Sequence, residues 1–231
     1  MNSTLFVVAK QPIAGRAKTR LCPPLDGETA AALYACFLGD ILTTMRSVAH
    51  VRRCIAYLPD DADSYFAALA PDMDRVAQRG AALGARLDNL LTDALSAGAP
   101  AAVVMSSDSP TLPAASIAEA FIQLQRGADV VLGPCDDGGY YLIGLRAPQP
   151  RLLHEVPMST PTVLADTLAL AAEMRLRVAL LSPWYDVDTA NDLARLQAEL
   201  LEAPADVAPQ TRAFLQEQFA DARFADHSGA Q

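Results

Sequence analysis

An α/β fold with a mostly parallel sheet flanked by helices is predicted by three features of the 231-residue sequence. Short apolar runs such as 5–9 (LFVVA) alternate with longer segments of helical periodicity. The runs are apolar at successive positions, as expected of strands that are covered on both faces. Apolar residues make up 52% of the sequence and charged residues 19%, a mixture that can bury a sizeable core. The alternation of the two patterns therefore favours helices packed on both sides of one sheet.

The N-terminal half begins with a buried strand and a polar loop. The strand is predicted at 5–9, and the loop contains Pro12 and Gly15. A long helix follows at 28–49, where apolar residues recur about every four positions and form one face. The remaining elements predicted in this half are strands at 54–58 and 101–105 and helices at 61–70, 87–96 and 113–125.

The C-terminal half continues the alternation. Strands are predicted at 129–132, 140–145 and 177–181, and helices at 160–175, 190–201 and 211–219. Residues 203–209 are rich in Pro and Ala and suggest a linker. We therefore expect one catalytic domain over 1–202, followed over 203–231 by the linker, a short helix and a mobile tail.

Composition excludes several classes of function. The net charge of −9 argues against non-specific binding to nucleic acid, which depends on neutralising phosphates. No apolar run is long enough to span a membrane, and no membrane partner is expected. The four cysteines form no CxxC pair and are expected to be free thiols in a reducing cytoplasm. The sequence carries no indication of an oligomeric state.

Positive charge is concentrated near the N-terminus. Residues 1–55 carry seven basic and three acidic side chains, whereas the whole chain is acidic. The loop 9–21 (AKQPIAGRAKTRL), called the basic loop below, contains Lys10, Gly15, Arg16, Lys18 and Arg20. Cations and backbone N–H groups directly after a strand suit phosphate oxygens, although the spacing is not that of a Walker A loop. The alternative is a solvated loop; in either case its side chains are expected to be dispensable for folding.

Acidic residues follow three of the later predicted strands: 101–105, 177–181 and 129–132, the last of which leads into the turn described in the next paragraph. Asp108 follows the strand 101–105, and Asp186 and Asp188 follow the strand 177–181. Asp186 and Asp188 alternate, so both carboxylates should face one side of an extended segment. Mg²⁺ favours one or two carboxylates together with substrate oxygens. The alternative is helix capping, which Asp108, Asp188 or Thr189 would also perform.

A glycine-rich turn separates two of the strands. It contains Asp136, Asp137, Gly138, Gly139 and Tyr140. The glycines would allow a ligand to approach the backbone closely, and a plain β-turn is the alternative. Ligands of parallel sheets bind beyond the carboxyl ends of the strands, so one pocket is expected to gather all these motifs.

The ordered set of motifs resembles a family of bacterial transferases labelled arsenosugar-biosynthesis or radical-SAM/selenodomain-associated glycosyltransferases. The resemblance covers roughly residues 4–215. The sequence also resembles, more distantly, phospholactate and molybdenum-cofactor guanylyltransferases. The motifs that carry it are AKQPIAGRAKTRL (9–21), LGARL (83–87), SSDSPTLP (106–113), VVLGPCDDGGYYLIGL (130–145), STPTVLADTL (159–168) and DVDTANDLARL (186–196).

The resemblance implies a nucleotide-diphospho-sugar transferase fold (GT-A, Rossmann-like) and a nucleotide bound over the basic loop. It implies phosphate contacts from Lys10, Gly15, Arg16, Lys18, Arg20 and Gly84, and Mg²⁺ or Mn²⁺ held by Asp108, Asp186 and Asp188. Asp108 and Asp137 become candidate catalytic residues, and Asp136, Gly138, Gly139 and Tyr140 would face the acceptor or the sugar.

The chain departs from the family pattern at three positions. Family members usually have acidic residues where Ala82 and Ala85 stand here, and many have Trp in place of Met158. The leading expectation is metal-dependent glycosyl transfer from a nucleotide-sugar donor to a small-molecule acceptor. The alternatives are nucleotidyl transfer to a small phosphorylated or acidic acceptor, and nucleotide binding without catalysis.

Overall fold

Seven strands and eight helices make up the computed structural model over residues 2–218, the part of the chain that the structure describes. The strands are β1 Ser3–Lys10, β2 Val51–Leu58, β3 Asp74–Ala77, β4 Ala102–Met105, β5 Val130–Pro134, β6 Tyr140–Leu145 and β7 Val178–Leu180. The helices are α1 Gly27–Ser47, α2 Asp63–Leu69, α3 Leu83–Ser96, α4 Ala114–Gln125, α5 Pro150–His154, α6 Val163–Glu173, α7 Ala190–Glu202 and α8 Pro209–Gln218. The predicted C-terminal tail lies outside the described residues.

All seven strands form one sheet in the order β3-β2-β1-β4-β6-β5-β7. Neighbouring strands are parallel except at β6, which runs antiparallel to both β4 and β5. The predicted mostly parallel α/β fold is therefore confirmed. Sequence reasoning missed β3 and α5. β3 is a four-residue edge strand (DRVA) with two charged residues, and α5 has only five residues, so neither shows a measurable periodicity.

The sheet buries a separate apolar core on each face. Alternate residues of β1 point to opposite sides, so Leu5 and Val7 enter one core and Phe6 enters the other. The first core packs against α1, α2, α4, α7 and α8, and the second against α3, α5 and α6. This burial on both faces explains why the strands are apolar at successive positions.

The chain leaves β1 toward one edge of the sheet and reaches β4 on the other side of β1. Such a reversal opens a crevice at the carboxyl ends of the two strands. The basic loop follows β1, and residues 106–108 follow β4, so both motifs lie at the crevice. Among the described residues, no helix has the length and apolar character needed to cross a membrane.

A buried carboxylate joins the last described helix to the first core. Asp40 of α1 is 2% exposed and accepts hydrogen bonds from the backbone N–H groups of Gln210 (3.0 Å) and Thr211 (2.8 Å). Both donors lie in the first turn of α8, where a helix has no internal acceptor for them. Residues 209–218 therefore pack on the same body as the rest of the sheet and its helices.

We expect Asp40→Ala to lower the free energy of unfolding by roughly 2–4 kcal/mol, because two backbone N–H groups would lose their acceptor. Urea denaturation measures the effect. Glu202→Ala is the matched control, because Glu202 is exposed and its side chain forms no ion pair or hydrogen bond within residues 2–218. It should change the free energy of unfolding by less than about 0.5 kcal/mol. Equal stability of the two variants would contradict this role for Asp40.

Candidate functional site

A cavity of about 740 Å³ lies at the crevice between β1 and β4. Its wall includes residues from the basic loop, from the segments after β4 and β7, and from the turn before β6. The structure thus brings to one cavity most of the residues singled out from the sequence: Lys10, Arg16, Lys18, Arg20, Asp108, Asp137, Gly139, Tyr140, Asp186 and Asp188.

Lys18 is the centre of the charged part of this cavity. Its ammonium group donates to Asp108 Oδ1 (2.5 Å), Asp188 Oδ1 (2.9 Å) and the carbonyl oxygen of Val187 (2.8 Å). The side chain is only 4% exposed, and its three N–H bonds are all directed to protein oxygens. Burial alone would lower the pKa of Lys18, but the carboxylates of Asp108 and Asp188 outweigh it and raise the pKa above its usual value.

The local fold of the basic loop directs Lys18 inward. Lys18 has a φ of 50°, in the left-handed region, and directly precedes a short 3₁₀ turn at Thr19–Leu21. Ala17 and Leu21 are buried on either side of it, and they fix the loop against the first core. A non-glycine residue held at positive φ is uncommon and is maintained by the packing around it. The strained backbone therefore places a lysine where an ordinary loop would expose it.

Asp186 is the most deeply placed carboxylate of the cavity. It accepts hydrogen bonds from the hydroxyls of Ser109 (2.6 Å) and Ser106 (3.1 Å). Burial, followed by the nearby negative charge of Asp108, raises the pKa of Asp186 to about 6. Asp108, Asp186 and Asp188, called the acidic cluster below, thus share one region in which negative charge exceeds the charge of Lys18.

The capping alternatives do not account for the acidic cluster. Thr189 caps α7 through a reciprocal pair of hydrogen bonds with Asp192, so the carboxylate of Asp188 is left to Lys18 and Arg20. At α4, Pro113 occupies the capping position, and no side chain caps the helix. Asp108 and Asp188 therefore direct their carboxylates to the cavity instead of to a helix end.

Carboxylate oxygens are suitable ligands for Mg²⁺, but Lys18 already lies between two of them. Within residues 2–218 no group of three His, Cys, Asp or Glu side chains has the arrangement of a metal site. The acidic cluster as folded is a set of carboxylates partly neutralised by an ammonium group. Phosphate oxygens of a ligand would be needed to complete the ligand sphere of a divalent cation there.

The turn before β6 divides its residues between two environments. Asp137, Gly139 and Tyr140 line the cavity, whereas Asp136 pairs with Arg195 (2.6 Å). Gly138 has a φ of +87°, and a Cβ there would collide with the backbone carbonyl of Pro161. The close approach that Gly138 permits is therefore to Pro161, and not to a ligand as its sequence motif suggested.

The other two predicted glycines are not on the cavity wall. Gly84, in the first turn of α3, is buried where a Cβ would collide with the carbonyl oxygen of Leu153. Gly15 has a φ of +71° and stands exposed in the basic loop. Of the three departures from the family pattern, Met158 lines the cavity, whereas Ala82 and Ala85 do not.

Several cavity residues were not singled out from the sequence, among them Tyr34, Gln78 and Arg86. Tyr34 of α1 shares a hydrogen bond with Ser107 (2.7 Å), Gln78 donates to the carbonyl of Ala56 (2.8 Å), and Arg86 lies on the α3 wall. Tyr34 and Gln78 have no motif around them. Arg86 lies inside LGARL, but the helix was predicted to begin only at residue 87, whereas α3 begins at Leu83, so Arg86 was not assigned to a helical face.

Comparison with known proteins places the chain in a family. Residues 41–160 match the family described as "Uncharacterized protein conserved in bacteria (DUF2064)". A crystal structure from Desulfovibrio desulfuricans G20, provisionally named a nucleotide-diphospho-sugar transferase, is 34% identical, with a TM-score of 0.89. The match covers 95% of this chain and 96% of that one. The chain therefore belongs to the DUF2064 family.

More distant structures share the fold alone. CMP:2-keto-3-deoxy-manno-octonic acid synthetase, solved with CTP, is 12% identical with a TM-score of 0.57, and the match covers 87% of this chain and 99% of that one. A cytidylyltransferase from Leptospira borgpetersenii is 11% identical with a TM-score of 0.56, over 95% of this chain and 96% of the other. Among curated proteins no match was found. The fold is thus the one found in nucleotide-diphospho-sugar transferases and cytidylyltransferases.

Proposed function

We propose that the chain is a nucleotide-using transferase that moves a glycosyl group from a nucleotide-sugar donor to a small acceptor. The observation that carries the proposal is the charge arrangement of the cavity. Lys10 and Arg16 line it, are exposed and have no protein partner within residues 2–218, and they flank the buried Lys18. The 34% identical relative from Desulfovibrio desulfuricans, provisionally named a nucleotide-diphospho-sugar transferase, supports the same function.

The residues divide into two roles in this proposal. Lys10 and Arg16 bind the diphosphate of the donor, because free cations on a cavity wall attract phosphate oxygens. Lys18 is occupied by three protein oxygens and so holds Asp108 and Asp188 in place. The positive charges of Lys10 and Arg16 would stabilise the anionic leaving group.

We also propose that Mg²⁺ or Mn²⁺ joins the acidic cluster together with the nucleotide. Burial, and after it the negative charge of Asp108, raises the pKa of Asp186, so a further cation beside this carboxylate would favour its ionised form. A bound divalent cation would supply Lewis-acid neutralisation of the leaving phosphate. Asp108, Asp186 and Asp188 are the residues that would hold it, with phosphate oxygens as the remaining ligands.

Nucleotidyl transfer from a nucleoside triphosphate is the second candidate. The observation in its favour is the number of cations on the cavity wall, which are Lys10, Arg16, Lys18, Arg20 and Arg86. Three of them, Lys10, Arg16 and Arg86, have no carboxylate partner within residues 2–218, and three such cations suit a triphosphate and an acidic acceptor better than they suit a diphosphate alone. Pyrophosphate release from a triphosphate is the product that distinguishes this reaction from glycosyl transfer.

Thermal denaturation with a panel of nucleotides tests the proposal. Nucleotide-sugars or nucleoside triphosphates at 100 times Kd would stabilise the protein by about 2.7 kcal/mol, and Mg²⁺ or Mn²⁺ should enlarge the shift. Arg16→Met should reduce it, whereas Arg126→Met, at an exposed position outside the cavity, should not. A shift with triphosphates alone, with pyrophosphate release, would favour the second candidate. A shift without turnover would favour nucleotide binding without catalysis, and no shift would reject all three.

A further inference from the structure

Arg86 is a half-buried cation on the cavity wall, and the described residues supply no acceptor for its side chain. Within residues 2–218 it forms no ion pair and no side-chain hydrogen bond, and its Nε atom is buried. The other arginines of this part of the chain that are not exposed all donate to carbonyl or carboxylate oxygens. They are Arg53, Arg75 and Arg212.

The position of Arg86 on α3 is inward. Leu83, Arg86 and Leu87 share one helical face and all three line the cavity. Leu87 is 5% exposed and continues into the second core with Leu90. A buried donor without an acceptor is destabilising, so the packing of residues 2–218 alone does not explain a guanidinium at this position.

Within residues 2–218, no carboxylate is available to neutralise Arg86. The residues flanking the start of its helix are Ala82 and Ala85, and the next acidic residue, Asp88, is bonded to His154 (2.9 Å) and Thr92 (2.9 Å). The carboxylates of the cavity are also engaged, in each case by an ammonium, guanidinium, hydroxyl or backbone N–H group. They are Asp108, Asp137, Asp186 and Asp188.

The surroundings of Arg86 differ from those of the basic loop. Residues of the second face of the sheet, Val8, Val104 and Ile143, line the cavity together with Leu83 and Leu87 of α3. Lys10 and Arg16 belong instead to the segment that follows β1. The cavity therefore carries unpartnered positive charge on two separate elements, and one of them adjoins an apolar surface.

We propose that Arg86 binds an oxyanion, a carboxylate or a phosphate, on a molecule other than the nucleotide. A guanidinium presents paired N–H groups that match the two oxygens of either anion. The ligand would lay an apolar side on the partly exposed Val8 and Leu83 and direct its anion to Arg86. If the chain is the proposed transferase, this molecule is the acceptor. Only the identification of the molecule as the acceptor rests on the proposed function.

Anion-dependent thermal stabilisation tests the proposal without any nucleotide. The background is the double variant Lys10→Met/Arg16→Met, which removes the two unpartnered cations of the basic loop. The probes are inorganic phosphate and malonate, and the comparison is between this background with Arg86 and the same background with Arg86→Met. Arg126→Met in the same background is the matched control, because Arg126 is exposed and its side chain forms no ion pair or hydrogen bond within residues 2–218.

We expect at least one probe to raise the melting temperature of the background protein and of the Arg126→Met control. The shift should be lost in Arg86→Met, and the effective probe tells whether the anion is a phosphate or a carboxylate. Equal shifts with and without Arg86, or no shift with either probe, would overturn the proposal. Because no nucleotide is present, failure of the transferase function would leave this result unchanged.

The stability of the unliganded protein gives a second criterion. A residue kept for ligand binding adds nothing to the fold, so Arg86→Met should melt at the same temperature as the parent protein or a higher one. A decrease of several degrees would show that Arg86 supports the fold and would count against the proposal.

Discussion

Replacing Lys18 by methionine is expected to lower the free energy of unfolding by about 1–3 kcal/mol near neutral pH. This is less than the cost of breaking a fully buried ion pair, because Asp108 and Asp188 are each 35% exposed and solvent screens their charge. The methionine side chain has a similar length but supplies no charge and no donors. Asp108 and Asp188 would then lie beside Asp186 with no buried cation between them. From the sequence, Lys18 was expected to be dispensable for folding because it lies in a loop. In the structure its ammonium group is buried, and we therefore expect Lys18 to stabilise the fold.

Chemical denaturation at pH 7.5 and pH 5 measures the effect of Lys18→Met. The loss should be smaller at pH 5, because protonation of carboxylates removes part of the uncompensated charge. Lys10→Met is the control, since Lys10 is an exposed cation of the same cavity and has no carboxylate partner within residues 2–218. The free energy of unfolding of Lys10→Met should stay within about 0.5 kcal/mol of wild type. If Lys18→Met and Lys10→Met were equally stable, Lys18 would not be the cation that holds the acidic cluster.

Replacing Asp186 by asparagine is expected to have the opposite sign and to stabilise the protein above pH 7. The folded pKa of Asp186, about 6, exceeds the ordinary value of 3.8, so the folded protein binds this proton more tightly than the unfolded chain does. The stabilising contribution is complete below about pH 4 and is lost as the pH rises through 6. Asparagine keeps an oxygen acceptor for Ser106 and Ser109 but cannot ionise.

The difference between Asp186→Asn and wild type should therefore grow from near zero at pH 4 to roughly 2–3 kcal/mol at pH 8, as expected for a shift of about two pKa units. Denaturation across this range measures it. Asp137→Asn provides the comparison, because Asp137 also lines the cavity but is exposed and accepts a hydrogen bond from the backbone N–H of Gly139. A variant less stable than wild type at pH 8 would show that the charge of Asp186 supports the fold.

The fold was predictable because most of its strands are apolar at successive positions, which only burial on both faces explains. Val130–Pro134 and Tyr140–Leu145 were found in this way, together with the turn between them. The edge strand Asp74–Ala77 was not, since half of its residues are charged. The antiparallel direction of β6 was not predicted either, although the turn before it was, because the sequence did not distinguish a hairpin turn from a glycine-rich ligand-binding turn.

The candidate site was predictable as a gathering of motifs but not as a set of contacts. The carboxyl ends of β1 and β4 meet at one crevice, so Lys18 and Asp108 were expected to be near each other. That Lys18 is buried depends on a left-handed backbone at its own position, which no local pattern indicates for a lysine. Arg86 was missed because the helix was predicted to begin four residues after its actual start at Leu83, so Arg86 was not assigned to a helical face.

The link between Lys18 and Asp188 spans 170 positions of the sequence, and this separation affects the order in which the protein is built. A ribosome makes the lysine long before either of its two carboxylates, and domains fold as their residues emerge. During that interval β1 and β2 can pair, but the ammonium has no counter-ion. The charged centre of the cavity is therefore completed only when the segment before α7 has been synthesised, so a chain interrupted before that point would present an open basic loop.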